Sequence, residues 1–80
     1  MPKLYQTEWC PYCIRVRSKM TELGITCDII NVPSSKVDRT ELMEVSGQRG
    51  VPTLVTEEGR VIPDDDDAII AYFVNEYQKG

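Results

Sequence analysis

The first 32 residues follow a strand–helix–strand pattern, and this feature most restricts the folds open to so short a chain. Residues 3–7 have the character of a short strand. Pro11 suits the first turn of a helix that continues to Leu23, and Gly24 is a typical helix end. The β-branched apolar run at 25–32 predicts a second strand. Two strands joined through a helix in one sheet are parallel, and the connection is right-handed.

The remainder of the chain predicts two more strands and two more helices. Residues 36–46 have helical periodicity, and the acidic segment 64–67 begins a final helix with an apolar face. Residues 53–56 and 60–62 predict short strands, and the turn sequence EEG between them indicates an antiparallel pair. We therefore expect an α/β fold in the order β-α-β-α-β-β-α. Its four-stranded mixed sheet would be flanked by three helices in one domain, residues 1–80.

The net charge of the chain is concentrated in one segment. The net charge is −4, and the aspartates at 64–67 supply four negative charges. Without them, nine acidic residues face nine basic ones, and the clustered positive surface that binds nucleic acid is missing. No segment approaches the ~20 apolar residues of a membrane helix, and the N-terminus does not resemble a signal peptide. We expect a cytoplasmic monomer without nucleic-acid or membrane partners.

Cys10 and Cys13 form a C-x-x-C pair that allows more than one chemistry. A structural zinc site needs four ligands, whereas the chain offers only Cys27 as a further cysteine and has no histidine. A disulfide within the pair closes a very small loop and constrains the unfolded chain little. An iron–sulfur cluster shared between two chains, with an external thiol, stays open. The other interpretation is a redox dithiol, for which we expect no bound metal.

The position of the pair gives the redox interpretation a physical basis. Cys10 falls at a strand-to-helix junction, where unpaired N–H groups and the helix dipole favour an anion. This placement favours the thiolate of Cys10 over its thiol. Cys13 lies one turn further along, and we expect it to be more buried and able to attack a mixed disulfide on Cys10. Pro11 stiffens the turn, and Arg15 and Arg17 add positive potential nearby.

The motif CPYC at 10–13, after a short strand, resembles the active site of dithiol glutaredoxins, small members of the thioredoxin-fold superfamily. The segment GVPTLV at 50–55 is similar to the second landmark of that family. This resemblance covers essentially the whole chain in element order and implies a thioredoxin-like fold. It implies that Pro52 is cis and faces the cysteines, and that the backbone of Val51 pairs with the cysteine part of glutathione. It also implies that Tyr12 is exposed and contacts partners.

The chain departs from the glutaredoxin pattern where that family holds glutathione. Thr7 occupies a place usually taken by Lys or Arg, and IPDDDDAI replaces a Gly-Gly pair followed by a short polar stretch. Alignment places Asp66 and Asp67 where the family binds the γ-glutamyl end. Helix capping and the helix dipole explain part of the acidic run as well. Attraction for the carboxylates of glutathione would then come from Gln48, Arg49 or helix N–H groups.

The aspartate run also resembles the Glu-Ser-x-Ala-Ile signature of glutathione transferase N-terminal domains, with Asp65 and Asp66 at its first two places. Elsewhere, Trp9 either shields the site or is a partly exposed aromatic. Cys27 is expected to be an inert small apolar residue in a strand. The aromatic side chains of the last helix are expected in the core: Tyr72, Phe73 and Tyr77.

These features support a glutaredoxin-like thiol–disulfide oxidoreductase that reduces protein or glutathione mixed disulfides. The resemblance implies glutathione as the reducing co-substrate. A related small thiol or a flavoprotein reductase is an alternative electron donor. Two other hypotheses stay open: a thioredoxin-fold module, similar to a transferase N-terminal domain, that binds thiols without turnover, and a dimer bridged by an iron–sulfur cluster through Cys10.

Overall fold

The computed structural model describes residues 1–77 and confirms the predicted α/β fold with a four-stranded mixed sheet and three helices. The strands are β1 (Lys3–Gln6), β2 (Asp28–Asn31), β3 (Thr53–Val55) and β4 (Val61–Ile62). The helices are α1 (Pro11–Leu23), α2 (Thr40–Ser46) and α3 (Asp66–Tyr77), and a 3-10 turn, Lys36–Asp38, precedes α2. Within the described residues, no helix has the length and apolar content to cross a membrane.

The sheet has the strand order β2-β1-β3-β4, so β1 lies inside it. β1 is parallel to β2, as the crossover through α1 requires, and antiparallel to β3. β3 and β4 form the antiparallel hairpin that the EEG turn predicted. The carboxyl end of β1 therefore leads directly into the segment that carries the cysteine pair.

Local signals explain the limits of α1. Pro11 occupies the first turn, where its missing N–H needs no partner. Gly24 ends the helix in the left-handed conformation, with φ of 69°. There the Gly24 N–H donates to the Thr21 carbonyl at 3.3 Å and the Ile25 N–H donates to the Met20 carbonyl at 2.9 Å. These bonds satisfy carbonyls at the helix end, so the chain turns back sharply towards β2.

The apolar core lies between the sheet and the helices α1 and α3. From the sheet it includes Leu4, Leu54 and Ile62, and from α3 it includes Ile69 and Phe73, all of them buried. The other buried members come from α1 and the segment that follows it: Val16, Met20, Ile25 and Cys27. α1 packs on α3, and both helices contribute to the core that covers the sheet, so this packing positions the first turn of α1.

Several predicted boundaries were wrong for reasons of tertiary structure. The predicted helix over 36–46 is interrupted at Arg39, whose backbone (φ −85°, ψ 59°) is not helical because its side chain turns inward to bond carbonyl groups. Val37, one of the apolar residues that gave this segment its helical periodicity, is 73% exposed. The strand predicted at 25–32 is limited to four residues, since β1 offers only four partners. Of the predicted core aromatics, Phe73 is buried, whereas Tyr77 is 40% exposed.

Candidate active site

The connection from β1 to α1 is held in place by Arg17. Its guanidinium donates to the backbone carbonyls of Thr7, at 3.3 Å, and Glu8, at 2.9 Å. It also donates to the side-chain oxygen of buried Gln6 at the end of β1. These bonds tie the loop before the cysteine pair to the helix after it. Arg17 was predicted to add positive potential, and the structure shows that it also fixes the loop that leads to Cys10.

The two cysteines of the C-x-x-C pair occupy different environments. Cys10 is the residue before α1, where its carbonyl accepts the first helical bond from the Ile14 N–H at 2.9 Å, and it is partly exposed. Cys13 is fully buried one turn further on. Burial raises the pKa of Cys13 to about 11, opposed by a backbone hydrogen bond from Thr7 and reinforced by the adjacent Cys10. At neutral pH the buried thiol is therefore protonated, as expected for the second of two thiols that act in turn.

An open groove of about 420 Å³ lies beside Cys10. Two exposed aromatic side chains flank the thiol along this groove, Trp9 at 66% exposure and Tyr12 at 58%. The opposite wall comes from Gly50 and Val51. The remaining lining residues are Thr7, Pro11, Lys36, Arg39 and Asp64. A disulfide placed in this groove would lie next to Cys10 and within a lining that includes two aromatic side chains.

Two polar side chains, those of Gln48 and Thr53, hold the groove wall at 50–52 in place. The peptide bond between Val51 and Pro52 is cis. Gln48 accepts from the Gly50 N–H at 2.5 Å and donates to the hydroxyl of Thr53 at 3.0 Å. The Thr53 hydroxyl, which is fully buried, donates to the Gly50 carbonyl at 2.9 Å. Both polar backbone groups of Gly50 are thus bonded to these side chains, and this holds the adjacent backbone of Val51 at the groove wall.

The side chain of Arg39 also holds the segment that forms this groove wall. It is almost completely buried, and its guanidinium donates to the carbonyls of Pro33 at 2.8 Å, Arg49 at 2.9 Å and Ser34 at 3.2 Å. It joins the segment after β2 to the segment before Gly50. Hydrogen bonds from a charged donor to carbonyl groups are stronger than those between neutral groups, and Arg39 lines the groove together with Lys36.

The four aspartates at 64–67, where α3 begins, have three different environments. Asp65 is the helix cap, since its carboxylate accepts from the Ala68 N–H at 3.0 Å. Asp66 and Asp67 both accept from the guanidinium of Arg15 on α1, the latter at 2.9 Å. Asp64 alone lines the groove beside Cys10. The predicted capping role is thus confirmed for Asp65.

The structure brings together only part of the predicted site. Cys10, Tyr12 and Val51 line the groove, and Cys13 lies directly behind Cys10. The other predicted residues lie outside its lining: Gln48, Arg49, Pro52, Asp66 and Asp67. Gln48 has an internal bracing role, and Arg49 contributes its carbonyl to Arg39. A ligand-binding role for these residues stays a prediction.

Sequence reasoning missed Lys36, Arg39 and Asp64 as groove residues. Lys36 and Arg39 fall in a segment for which the sequence predicted a helix and no functional residue. Asp64 was hidden within four identical residues, all of which were assigned to the start of the final helix. Cys27 lies in the core, where burial raises its pKa to about 11, away from the groove. Within residues 1–77, no group of three or more Cys, Asp or Glu side chains is arranged to hold a metal.

The fold and the cysteine pair define a thioredoxin-fold protein with a dithiol at the start of its first helix. A family model described as glutaredoxin matches residues 3–62. The glutaredoxin of Pseudomonas aeruginosa is 33% identical over 63 residues, which are 79% of this chain and 75% of that protein. The chain therefore belongs to the glutaredoxin family. Family membership supports a function like that of a thiol–disulfide oxidoreductase.

Solved structures agree with this assignment and confirm the thioredoxin-like fold. Glutaredoxin 2 from Salmonella typhimurium, solved in complex with glutathione, has a TM-score of 0.82 and 25% identity. The match covers 94% of this chain and 33% of that one. Glutathione S-transferase 1-6 from Anopheles dirus species B has a TM-score of 0.85 and 29% identity, with 98% of this chain and 37% of that one covered. The chain thus spans about a third of the length of these larger proteins and shows the predicted resemblance to transferases.

Proposed function

We propose that this protein is a dithiol thiol–disulfide oxidoreductase in which Cys10 is the nucleophile and Cys13 the resolving thiol. One observation carries this proposal: a partly exposed thiol opens onto a groove at the start of α1, and a fully buried thiol lies directly behind it. The N–H groups of the first helical turn favour an anion at this place. The exposed thiol is therefore the one that meets a substrate.

The proposed reaction begins with attack of the Cys10 thiolate on one sulfur of a substrate disulfide. A new bond forms between Cys10 and that sulfur, the substrate bond breaks, and the other sulfur leaves as a thiolate that takes a proton from water. Cys13 then attacks the Cys10 sulfur, and the proton of Cys13 passes to the second departing thiolate. The substrate has gained two electrons and two protons, and Cys10 and Cys13 are joined as a disulfide.

The difference between the two thiols supports this order of events. A thiol with a pKa of about 11, as for Cys13, is almost entirely protonated at neutral pH and is a poor first nucleophile. Burial also keeps Cys13 away from bulk disulfides. It becomes the attacking group only when a mixed disulfide on Cys10 places an electrophilic sulfur next to it.

Glutathione is the reductant that we propose for the oxidised dithiol. Two glutathione molecules would supply the two electrons and leave as glutathione disulfide. The groove has the backbone of Val51 on one wall and the cations Lys36 and Arg39 at its edge, where a carboxylate would be attracted. The Salmonella relative was solved in complex with glutathione. Protein mixed disulfides are the proposed substrates, and a flavoprotein reductase is the alternative electron donor.

The test compares Cys10→Ser, Cys13→Ser and Cys27→Ser in the reduction of a glutathione mixed disulfide and of a protein disulfide. Each substrate is supplied with glutathione or with a flavoprotein reductase in turn. Cys10→Ser should abolish all turnover, because the first bond cannot form. Cys13→Ser should lose the protein disulfide reaction, while a second glutathione can still complete the reaction on Cys10. Cys27→Ser is the matched control and should keep full activity. Disulfide reduction by Cys10→Ser would refute the assignment.

A second candidate function is a module that binds thiols without turnover. The likeness to the Anopheles transferase over nearly the whole chain favours it, because the same groove can hold a thiol ligand without reacting with it. This alternative predicts that Cys10→Ser binds glutathione as tightly as the wild type does, and that the wild type reduces neither substrate. Calorimetric titration with glutathione, read beside the turnover assay, separates the two functions.

A further inference from the structure

Asp64 is placed in the groove by the backbone rather than by an ion pair. Its φ of 47° lies in the left-handed region, which Asp and Asn tolerate better than most residues. Its N–H donates at 3.1 Å to the Thr53 hydroxyl, the same group that braces Gly50. The carboxylate lies against Gly50, where an added Cβ would collide with it. The absence of a side chain at Gly50 therefore leaves room for this carboxylate at the groove wall.

The charge of Asp64 is available to a ligand. Within residues 1–77, the ion pairs that the structure contains do not involve Asp64, whereas Asp66 and Asp67 share the guanidinium of Arg15. The other charged residues that line the groove are Lys36 and Arg39. The groove beside Cys10 thus holds one carboxylate and two cations around an otherwise apolar or neutral lining.

From this arrangement we infer that Asp64 is a specificity-determining residue, which favours small thiol substrates that carry an ammonium group near their sulfur. The inference rests on the proposed function and names its substrate class. A carboxylate at the groove wall attracts an ammonium group on the substrate. Lys36 and Arg39 attract any carboxylate on the same molecule. A thiol with an amino group, with or without carboxylates, fits these charges better than a neutral thiol of the same size.

The test uses two symmetrical disulfides of similar size, cystamine with terminal ammonium groups and hydroxyethyl disulfide with terminal hydroxyls. Pre-reduced protein is mixed with each disulfide in a stopped-flow instrument, and Trp9 fluorescence reports oxidation of the adjacent Cys10. No other reductant is present. The ratio of the two second-order rate constants is measured for the wild type and for Asp64→Asn. Asparagine keeps the tolerance for this backbone conformation and removes only the charge.

The ratio of cystamine to hydroxyethyl disulfide rate constants should fall about two- to fivefold in Asp64→Asn, the range set by one partly exposed ion pair. Any difference in the intrinsic reactivity of the two disulfides affects the wild type and the variant equally, so it cancels when their ratios are compared. The preference of the wild type for cystamine should also weaken as ionic strength rises.

Glu58→Gln is the matched control, since it removes the same charge from the β3–β4 turn. That turn lies at the end of the sheet opposite Cys10, because Val55 pairs with Lys3. Its ratio should equal that of the wild type.

Three results would overturn the inference, and they differ in whether the proposed function is overturned as well. If hydroxyethyl disulfide oxidises Cys10 and the ratio is the same in Asp64→Asn as in the wild type, Asp64 does not select substrates and the proposed function stands. If neither disulfide oxidises Cys10 of the wild type, the proposed function and this inference fall together. A ratio that falls equally in Glu58→Gln would show an effect of net charge alone and would also overturn it.

Discussion

Replacement of Arg39 by methionine should destabilise the whole domain, although the side chain is far from both cysteines in sequence. Methionine has a similar length and no charge, so it fills much of the space and removes the hydrogen bonds. The guanidinium is buried and donates to the carbonyls of Pro33, Ser34 and Arg49. In Arg39→Met these three carbonyls lose their donor, and the two segments that they belong to lose their connection.

The size of the effect follows from the number and kind of bonds. A hydrogen bond to a charged group contributes about 1.5–3 kcal/mol, and acceptors left without a donor in a buried site add a desolvation cost. Part of the loss is offset because the variant no longer buries a charge. We expect the free energy of unfolding to fall by about 3–5 kcal/mol. A domain of this size has on the order of 5–15 kcal/mol in total, so the variant should lose much of its stability.

The assay is urea unfolding of the reduced protein followed by far-UV circular dichroism. Arg49→Met is the matched control, because Arg49 is exposed and contributes only its backbone carbonyl to this network. It should change the free energy of unfolding by about 0.5 kcal/mol or less. Arg39→Lys should fall between the two, since it keeps the charge but not the planar set of donors. If Arg39→Met unfolds within about 1 kcal/mol of Arg49→Met, the bracing role of Arg39 is refuted.

Two further predictions concern the thiols. Iodoacetamide at pH 7 should modify Cys10 much faster than Cys13 or Cys27, because Cys13 and Cys27 are buried and have a pKa raised to about 11. Peptide mapping by mass spectrometry measures the three rates. Equal rates at Cys10 and Cys27 would contradict the proposed nucleophile. The free energy of unfolding should fall as pH rises from about 9 to about 11, because the unfolded chain releases these two protons near pH 9 and the fold retains them until about 11. Each thiol contributes at most about 3 kcal/mol to this loss. Urea unfolding of Cys27→Ala against the wild type should show a shallower fall, and parallel curves would disprove the linkage for Cys27.

Elements with local signals could be predicted from the sequence. Pro11 and Gly24 mark the two ends of α1, and both act through the backbone of the helix itself. The β3–β4 hairpin likewise depends on a turn within the same segment. Arg39 shows the opposite case. It interrupts a predicted helix because the carbonyls that hold its side chain belong to segments 33–34 and 49, and periodicity within 36–46 carries no information about them.

The same distinction applies to the candidate site. The cysteine pair could be predicted because motif and helix start coincide, and the burial of Cys13 follows from its place one turn into a helix that packs on the sheet. Gln48 illustrates what could not be predicted. Its predicted role in attracting glutathione stays a prediction, and the sequence did not indicate that its amide group also holds Gly50 and Thr53. A polar residue next to a groove can hold the groove wall in place or bind the ligand. Only the folded structure shows which contacts it makes.

The aspartate run makes this point most directly, because four identical side chains contain no sequence signal about which one faces a ligand. The groups that each aspartate contacts determine where its side chain lies. Asp65 accepts a hydrogen bond from the Ala68 N–H and caps the helix. Arg15, on α1 about fifty residues earlier, forms ion pairs with Asp66 and Asp67. Asp64 precedes the helix, and its backbone is fixed by the Thr53 hydroxyl, so its carboxylate is left at the groove. The alignment that placed Asp66 and Asp67 at the γ-glutamyl end followed the order of residues along the chain, and that role stays a prediction. It could not show that Arg15 on α1 pairs with both of these side chains.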